Sequence, residues 1–352
     1  MFFTGLGTAL PATRYTQREC WDAFQAAEVF HRLDTRGRAV LKKVLLGDNG
    51  ITARHLAVDD LITAFDLTPD TLQARFERHA PALATAAAER ALADAQAEPA
   101  EIDAVLVSTC TGYLCPGLTS YVSGYLGLRD DVFALDLVGQ GCGAALPNLR
   151  TADALLASGR ARTVLTVCVE VCSAAFYLDN DPGVLVSACL FGDGAAAAVM
   201  TATPGENTRR VEWTAAGTVL NPADRDCLRF EHRGGMLRNI LDREVPALAS
   251  RYAERVLVET LGRVGLPRDQ ITGWVLHAGG REVLSALRDR LGLSESDVRY
   301  SAAVLRDHGN ISSPSVLFAL QSALAEEPLG GWWWLSSFGA GFSCHGALLR
   351  VG

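Results

Sequence analysis

Residues 133–146 read Phe-Ala-Leu-Asp-Leu-Val-Gly-Gln-Gly-Cys-Gly-Ala-Ala-Leu, and this stretch decides the fold. A strand over Phe133–Leu137 runs into Gly139, Gly141 and Gly143, with Cys142 between the last two. Glycines allow the tight strand-to-helix turn that such a junction needs. A helix follows to Ala157, with Ala145, Leu149, Ala152 and Leu156 on one face. Cys142 therefore stands at a helix N-terminus, where unpaired N–H groups and the helix dipole favour a thiolate. Thiolate is the nucleophilic form of cysteine, so the turn suits acyl transfer. The competing reading is a small packing residue at a helix start.

The strand–helix alternation extends in both directions. Residues 3–7, 102–108 and 163–171 read as strands, and 16–33 and 68–95 as helical, with Thr16 and Glu19 at capping-box spacing. After residue 205 the pattern restarts. A strand over 211–220 leads to a helical region over 235–265 interrupted at Pro246. A strand over 273–276 precedes helices over 282–291 and 313–326, and two strands close the chain around a Gly-rich turn. Such alternation predicts an α/β protein with mostly buried sheets, in two similar halves, residues 1–205 and 206–352.

Composition narrows the function. The chain has 352 residues, 49% of them hydrophobic, enough for a large core. Its net charge of −8 argues against nucleic-acid binding, which calls for a basic excess. Lys42 and Lys43 are the only lysines. No apolar run is long enough to span a membrane and the N-terminal residues do not resemble a signal peptide, which predicts a cytoplasmic protein. Nine cysteines, an odd number, predict thiols rather than a disulfide framework, and their spacing predicts no metal site.

Three further segments carry candidate chemistry. His277 follows a buried strand and precedes Gly279 and Gly280. Strand ends are where α/β proteins commonly hold active groups, although a lone histidine is more often a core residue. Asn310, in His308-Gly309-Asn310-Ile311-Ser312-Ser313, suits a turn or cap, or donation to an oxyanion. Asp193, between Gly192 and Gly194, reads as turn chemistry. Cys, His and Asn together do not choose a reaction, since papain-like hydrolases use the same three.

The order of motifs adds more. CTGYLCPG, GQGCGAAL, VCVEV, LFGDGAAAAV, LHAGG, GNISS and FGAG follow one another along the chain. In this order the sequence resembles the type III polyketide synthases, the chalcone-synthase-like branch of the thiolase superfamily, over nearly its whole length. The resemblance implies a thiolase fold, two α/β halves in five αβαβα layers, working as a homodimer. It implies that Cys142 carries the acyl chain with His277 as an ion-pair partner, and that His277 and Asn310 stabilise the enolate formed when malonyl-CoA loses carbon dioxide. Phe191 matches an aromatic gate. Arg54 matches a basic residue at the coenzyme A entrance; Lys42 and Lys43 match no motif, but their charge suits them to assist it. Gly279, Gly280 and Ser312 match the lining of tunnel and cavity. Coenzyme A thioesters are the substrates, an acyl-CoA starter and malonyl-CoA, with no separate cofactor or metal.

Departures from the plant pattern point to the cavity. Ala278 and Ala340 stand where proline is usual. Cys110, Thr111, Cys172 and Ala175 fall at expected cavity positions, and Asn239 at that of a second aromatic gate. Cys168, Glu170 and Cys172 share a face if their strand persists. Glu170 fits water activation, ketone polarisation, or a hydrogen-bonded buried carboxyl. Cys115 matches a residue that reaches the partner subunit's cavity. Small cavity residues favour a long or bulky starter, as in bacterial alkylresorcinol and alkylpyrone synthases. Delivery of the starter by an acyl carrier protein fits the same chemistry. The alternatives are a single-condensation enzyme like ketoacyl synthase III, a Cys-His-Asn thioester hydrolase, and a non-catalytic thiolase-fold subunit.

Overall fold

The computed structural model describes residues 1–205, 210–326 and 330–352. The N-terminal half begins with β1 (Phe2–Ala9), β2 (Arg14–Thr16), α1 (Gln17–Ala26), α2 (Glu28–Arg32), α3 (Thr35–Leu46) and β3 (Ala53–His55). It continues with α4 (Pro69–Ala95), β4 (Ala104–Thr109), α5 (Leu118–Leu126), β5 (Phe133–Val138), α6 (Ala145–Ala157), β6 (Thr163–Glu170), α7 (Pro182–Leu190) and β7 (Gly194–Thr201). The C-terminal half contains β8 (Val211–Leu220), β9 (Leu228–Arg233), β10 (Met236–Leu241), α8 (Val245–Val264) and β11 (Ile271–Leu276). It ends with α9 (Arg281–Arg290), α10 (Arg299–His308), α11 (Ser315–Ala325), β12 (Gly331–Gly339) and β13 (Ser343–Val351). The expected boundary after residue 205 adjoins residues 206–209, which lie outside the described residues.

Strand order shows the two halves directly. One side runs β5-β4-β6-β7-β1 and the other β11-β12-β13-β8, joined where β1 pairs with β8 at Phe2↔Glu212 and Phe3↔Val211. The sense of pairing repeats. β4 and β6 are parallel, then β6, β7 and β1 are antiparallel in turn. Likewise β11 and β12 are parallel, then β12, β13 and β8 are antiparallel.

Three cores fill the four interfaces between five layers, the middle one spanning two of them. α4 packs its Ala-rich face, including Ala84, Ala87, Ala88 and Ala91, on the N-terminal sheet. α6 and α11 form the middle layer, and their buried face joins residues of both sheets in one cluster. α8, α9 and α10 cover the C-terminal sheet, with Trp334 and Phe342 buried beneath them. A fourth cluster ties α1 and α3 to α7. The predicted capping box is present, Glu19 N donating to Thr16 Oγ1 and Thr16 N to Glu19 Oε2.

One expected element differs. Residues 235–265 are not a single interrupted helix, because Met236–Leu241 is a strand paired with β9. Gly234 and Gly235 both have positive φ, 59° and 80°, and form the two-residue hairpin loop. Pro246 lies in the first turn of α8 and does not interrupt it, since a first-turn proline leaves no hydrogen bond unmade.

Candidate active site

The cysteine turn is made by close backbone approach. Gly141 has φ of 58° and leads into a short 3₁₀ turn, Gly141–Gly143, before α6. A Cβ on Gly143 would stand 3.1 Å from Gly339 N and 3.2 Å from Phe338 C. One on Gly339 would stand 2.3 Å from Gln140 O. The glycines thus let the end of β12 press on the loop that presents Cys142, which gives the FGAG turn a role within the site.

The same strand end holds the histidine. His277 follows β11, its N–H donates to Ser336 O at 2.8 Å, and its ring lies 5.0 Å from that of Phe338. It is 1% exposed, and neither ring nitrogen has a protein partner. Among the described residues no other histidine has both ring nitrogens buried and unpaired. Buried polar groups are nearly always bonded, so this imidazole stands out within the protein. Gly279 packs against this ring, since a Cβ there would lie 3.6 Å from Nε2 and 2.7 Å from Phe338 Cζ.

Asn310 is fixed at both ends of its amide. Its Nδ2 donates to Gly279 O at 2.9 Å, and its Oδ1 accepts from Ser312 N at 2.9 Å. An amide nitrogen has two hydrogens, so one remains to donate. Ser312 completes the set by donating from Oγ to Cys142 Sγ at 3.3 Å. One cluster thus links Cys142, Ser312, Asn310 and Gly279 with the His277 ring, the serine, asparagine and histidine buried and Cys142 and Gly279 partly exposed.

Burial sets the protonation states. It pushes the Cys142 thiol up to about 12, against the Ser312 hydroxyl, which pulls it back. It pushes the His277 imidazole down to about 4. Both trends oppose the expected resting thiolate–imidazolium pair and favour neutral thiol with neutral imidazole.

Comparison with known proteins fixes the family. Residues 13–219 match the FAE1/type III polyketide synthase-like proteins, and residues 219–351 the C-terminal domain of chalcone and stilbene synthases. The chain belongs to the type III polyketide synthases. A 3,5-dihydroxyphenylacetyl-CoA synthase of Streptomyces toyocaensis is 32% identical over 331 residues, 92% of this chain and 82% of that protein. The alpha-pyrone synthesis polyketide synthase-like Pks18 of Mycobacterium tuberculosis is 30% identical, covering 92% of this chain and 83% of that one. The crystal structure of 1,3,6,8-tetrahydroxynaphthalene synthase from Streptomyces coelicolor A3(2) has a TM-score of 0.88 at 26% identity, covering 100% of this chain and 99% of that one. This synthase therefore has the thiolase fold and is an acyltransferase of decarboxylative malonyl-CoA condensation.

Beside Cys142 the synthase has a cavity of about 540 Å³. Cys110, Thr111, Cys172, Ala175, Phe191 and Ser312 line it, as expected, and so does Asn239. His277, Asn310, Gly279, Gly280 and Glu170 do not form its wall. Leu72, Phe76, Leu228 and Phe230 make much of the remainder apolar.

Besides Gly279 and Gly280, which were expected in the lining, two further expectations differ. Arg54 is 1% exposed, so it is no surface cation at a coenzyme A entrance. Its Nη1 donates to Ala188 O at 2.7 Å and Phe191 O at 2.9 Å, bracing the turn that carries Phe191. Cys168 and Cys172 do not share a strand face, because β6 ends at Glu170 and Cys172 begins a 3₁₀ turn. Cys168 instead accepts from Ser108 Oγ.

Glu170 is a fully buried hub. Its Oε1 accepts from Ser313 Oγ at 2.6 Å and Ser312 Oγ at 3.3 Å. Its Oε2 accepts from Cys110 N and Thr111 Oγ1, each at 3.0 Å. Burial raises its pKa, and these donors partly offset that. Asp193 exceeds its reading as a turn residue, since its carboxylate accepts from Ala57 N, Ser173 N and Ser173 Oγ. The sequence carries no sign of these roles for Ser313 and Asp193, because their partners are remote in sequence. The flanking glycines of Asp193 signal only its turn.

Proposed function

We propose that Cys142 carries the acyl chain while His277 and Asn310 activate malonyl-CoA. The orphaned ring nitrogens of buried His277, beside the Cys142 turn, are the observation that carries this reading. During loading the thiol proton passes to a ring nitrogen of His277 as sulfur attacks the starter thioester. Coenzyme A takes that proton and leaves as its thiol. Malonyl-CoA then sets its thioester oxygen against His277 and the free N–H of Asn310. Carbon dioxide departs, and the electron pair it leaves becomes an enolate held by those donors. An amide does not readily release a proton, so Asn310 stabilises the carbanion without quenching it. The carbanion attacks the Cys142 thioester, and the released sulfur takes back the lengthened chain from coenzyme A.

The cavity supports a long or bulky acyl starter and closure to a pyrone or resorcinol. Its volume lies within the usual range for ligand sites, its walls are largely apolar, and Ala175 and Asn239 are short side chains. The name of Pks18 assigns that relative to alpha-pyrone synthesis, which fits the same outcome. We further infer a cytoplasmic homodimer with Cys115 directed at the partner's cavity. Cys115 is exposed, β5 leaves Phe133, Leu135 and Val138 exposed, and no described helix is long and apolar enough to cross a membrane.

The test is mass spectrometry of products from purified enzyme, malonyl-CoA and short, aromatic and long-chain acyl-CoA starters. Pyrones or resorcinols from long starters are expected. Cys142→Ala should make none yet still release carbon dioxide from malonyl-CoA, and Asn310→Ala should slow that release by about 10²–10³-fold. Free acid alone, or one β-keto extension, would replace this reading with hydrolysis or single condensation. Normal product from Cys142→Ala would overturn the mechanism.

A further inference from the structure

Arg238 lies on β10 between Leu237 and Asn239, both of which line the cavity. Side chains alternate along a strand, so Arg238 points to the other face. It is 7% exposed, and its guanidinium meets three carboxylates. Nε is 2.8 Å from Asp179 Oδ2, Nη2 is 3.2 Å from Asp181 Oδ2, and Nη1 is 3.1 Å from Glu231 Oε1.

The three contacts are not equivalent. Glu231 is the cross-strand partner of Arg238 in the hairpin, so that bond stays within β9–β10. Asp179 and Asp181 belong to the segment leading into α7. Asp181 is also the N-cap of α7, accepting from Gly183 N at 2.8 Å. Val184, Ser187 and Ala188 of that helix, and Phe191 after it, form another part of the cavity wall. Arg238 thus ties one wall to another from behind. The two elements are close here, since a Cβ on Gly183 would stand 2.4 Å from Leu241 O.

We propose that Arg238 is a positioning residue that holds the β9–β10 hairpin against α7 and thereby fixes the length of chain the cavity admits. This rests on the reading that the cavity holds the acyl chain. Desolvating a guanidinium is costly, and a fork filled by three acids suits a contact that must hold one geometry. Without the arginine, Asp181 loses its cation, Asp179 keeps only the longer contact to Arg233 at 3.8 Å, and Glu231 keeps Arg229 at 3.4 Å, so the tie to α7 weakens and the hairpin moves outward. The cavity then lengthens.

The test compares product profiles of wild type, Arg238→Met, Arg238→Lys, Asp179→Asn and Glu231→Gln, with carbon dioxide release from malonyl-CoA measured alongside. Polyketide from wild type in this assay establishes the reading on which the inference rests, and the variants then test the inference itself. In Arg238→Met and Asp179→Asn the main wild-type product should fall severalfold in favour of products at least a malonyl unit longer. Carbon dioxide release should stay near the wild-type rate. Arg238→Lys should restore part of the original profile, and Glu231→Gln should keep it, because its bond does not cross to α7. A folded Arg238→Met with the wild-type profile would overturn the proposal. If that variant does not fold, an unchanged profile in Asp179→Asn, or an equal shift in Glu231→Gln, would overturn it.

Discussion

Ser312 is a serine with φ of 57°, in the left-handed region that side chains avoid at a cost of about 1–2 kcal/mol. That backbone places Oγ 3.3 Å from both Cys142 Sγ and Glu170 Oε1. One hydroxyl has one proton, so bonding to the carboxylate competes with stabilising the sulfur. Ser312→Ala removes the neighbour that pulls the buried Cys142 thiol down. The expected result is roughly tenfold slower alkylation of Cys142 by iodoacetamide near neutral pH, the effect of about one hydrogen bond to a charged group. Peptide mass spectrometry would read this out. An unchanged rate would mean that the hydroxyl serves Glu170 alone. Cys142, His277 and Asn310 each sit near glycines at an element boundary, which makes them candidates in the sequence, while their proposed roles come from the family resemblance. A hydrogen-bonded buried Glu170 is among the sequence readings, but its partners are not legible there, since residues 110, 111, 312 and 313 are brought to it only by the folded sheets. Arg54 was legible as a charge, but its burial depends on α7 and the Phe191 turn packed over it.

Elements were read well where one period ran long. The Ala-rich face of α4 is an example, and Pro81 within that helix did not end it because the apolar face continues on both sides. Gly234-Gly235 is a two-residue loop signal for the hairpin β9–β10, but the helical pattern of the following residues extends back across it in the sequence, with Pro246 reading only as an interruption. β5 was predicted as a strand, but not that it would lie bare. It is the edge of the sheet, with Phe133 49%, Leu135 37% and Val138 57% exposed. An apolar edge with unpaired backbone groups invites pairing, which is where the proposed homodimer would form its contact. Leu135→Arg would place a charge in that contact without touching the cavity. Analytical ultracentrifugation should show wild-type dimer and mostly monomeric variant. A variant as dimeric as wild type would locate the interface elsewhere.

At the scale of the molecule, the two halves meet on the middle layer, and acid should weaken that junction. His345 on β13 of the C-terminal half is 6% exposed, and its ring contacts the position a Cβ on Gly143, at the start of α6, would occupy. Its Nδ1 lies 3.0 Å from Thr218 Oγ1, and its Nε2 is buried without a partner. Burial, and then the charge of Arg150, hold its pKa near 4, against about 6.5 when unfolded. Between those values the unfolded chain binds the extra proton, so this contribution to stability is full above about pH 6.5 and is lost as pH falls toward 4. Glu170 and Asp193 act in the opposite sense, since burial raises their pKa and their contribution is lost as pH rises. The acid limb of the whole protein therefore mixes signs, and only a difference isolates His345. His345→Gln keeps a polar group for Thr218 and removes the titration. In denaturant unfolding at fixed protein concentration, the stability advantage of wild type over this variant should be about 2 kcal/mol smaller at pH 5 than at pH 7. Equal advantages at the two pH values would mean that His345 protonates as readily in the folded protein as in the unfolded one, and that the junction between the halves is not where acid acts.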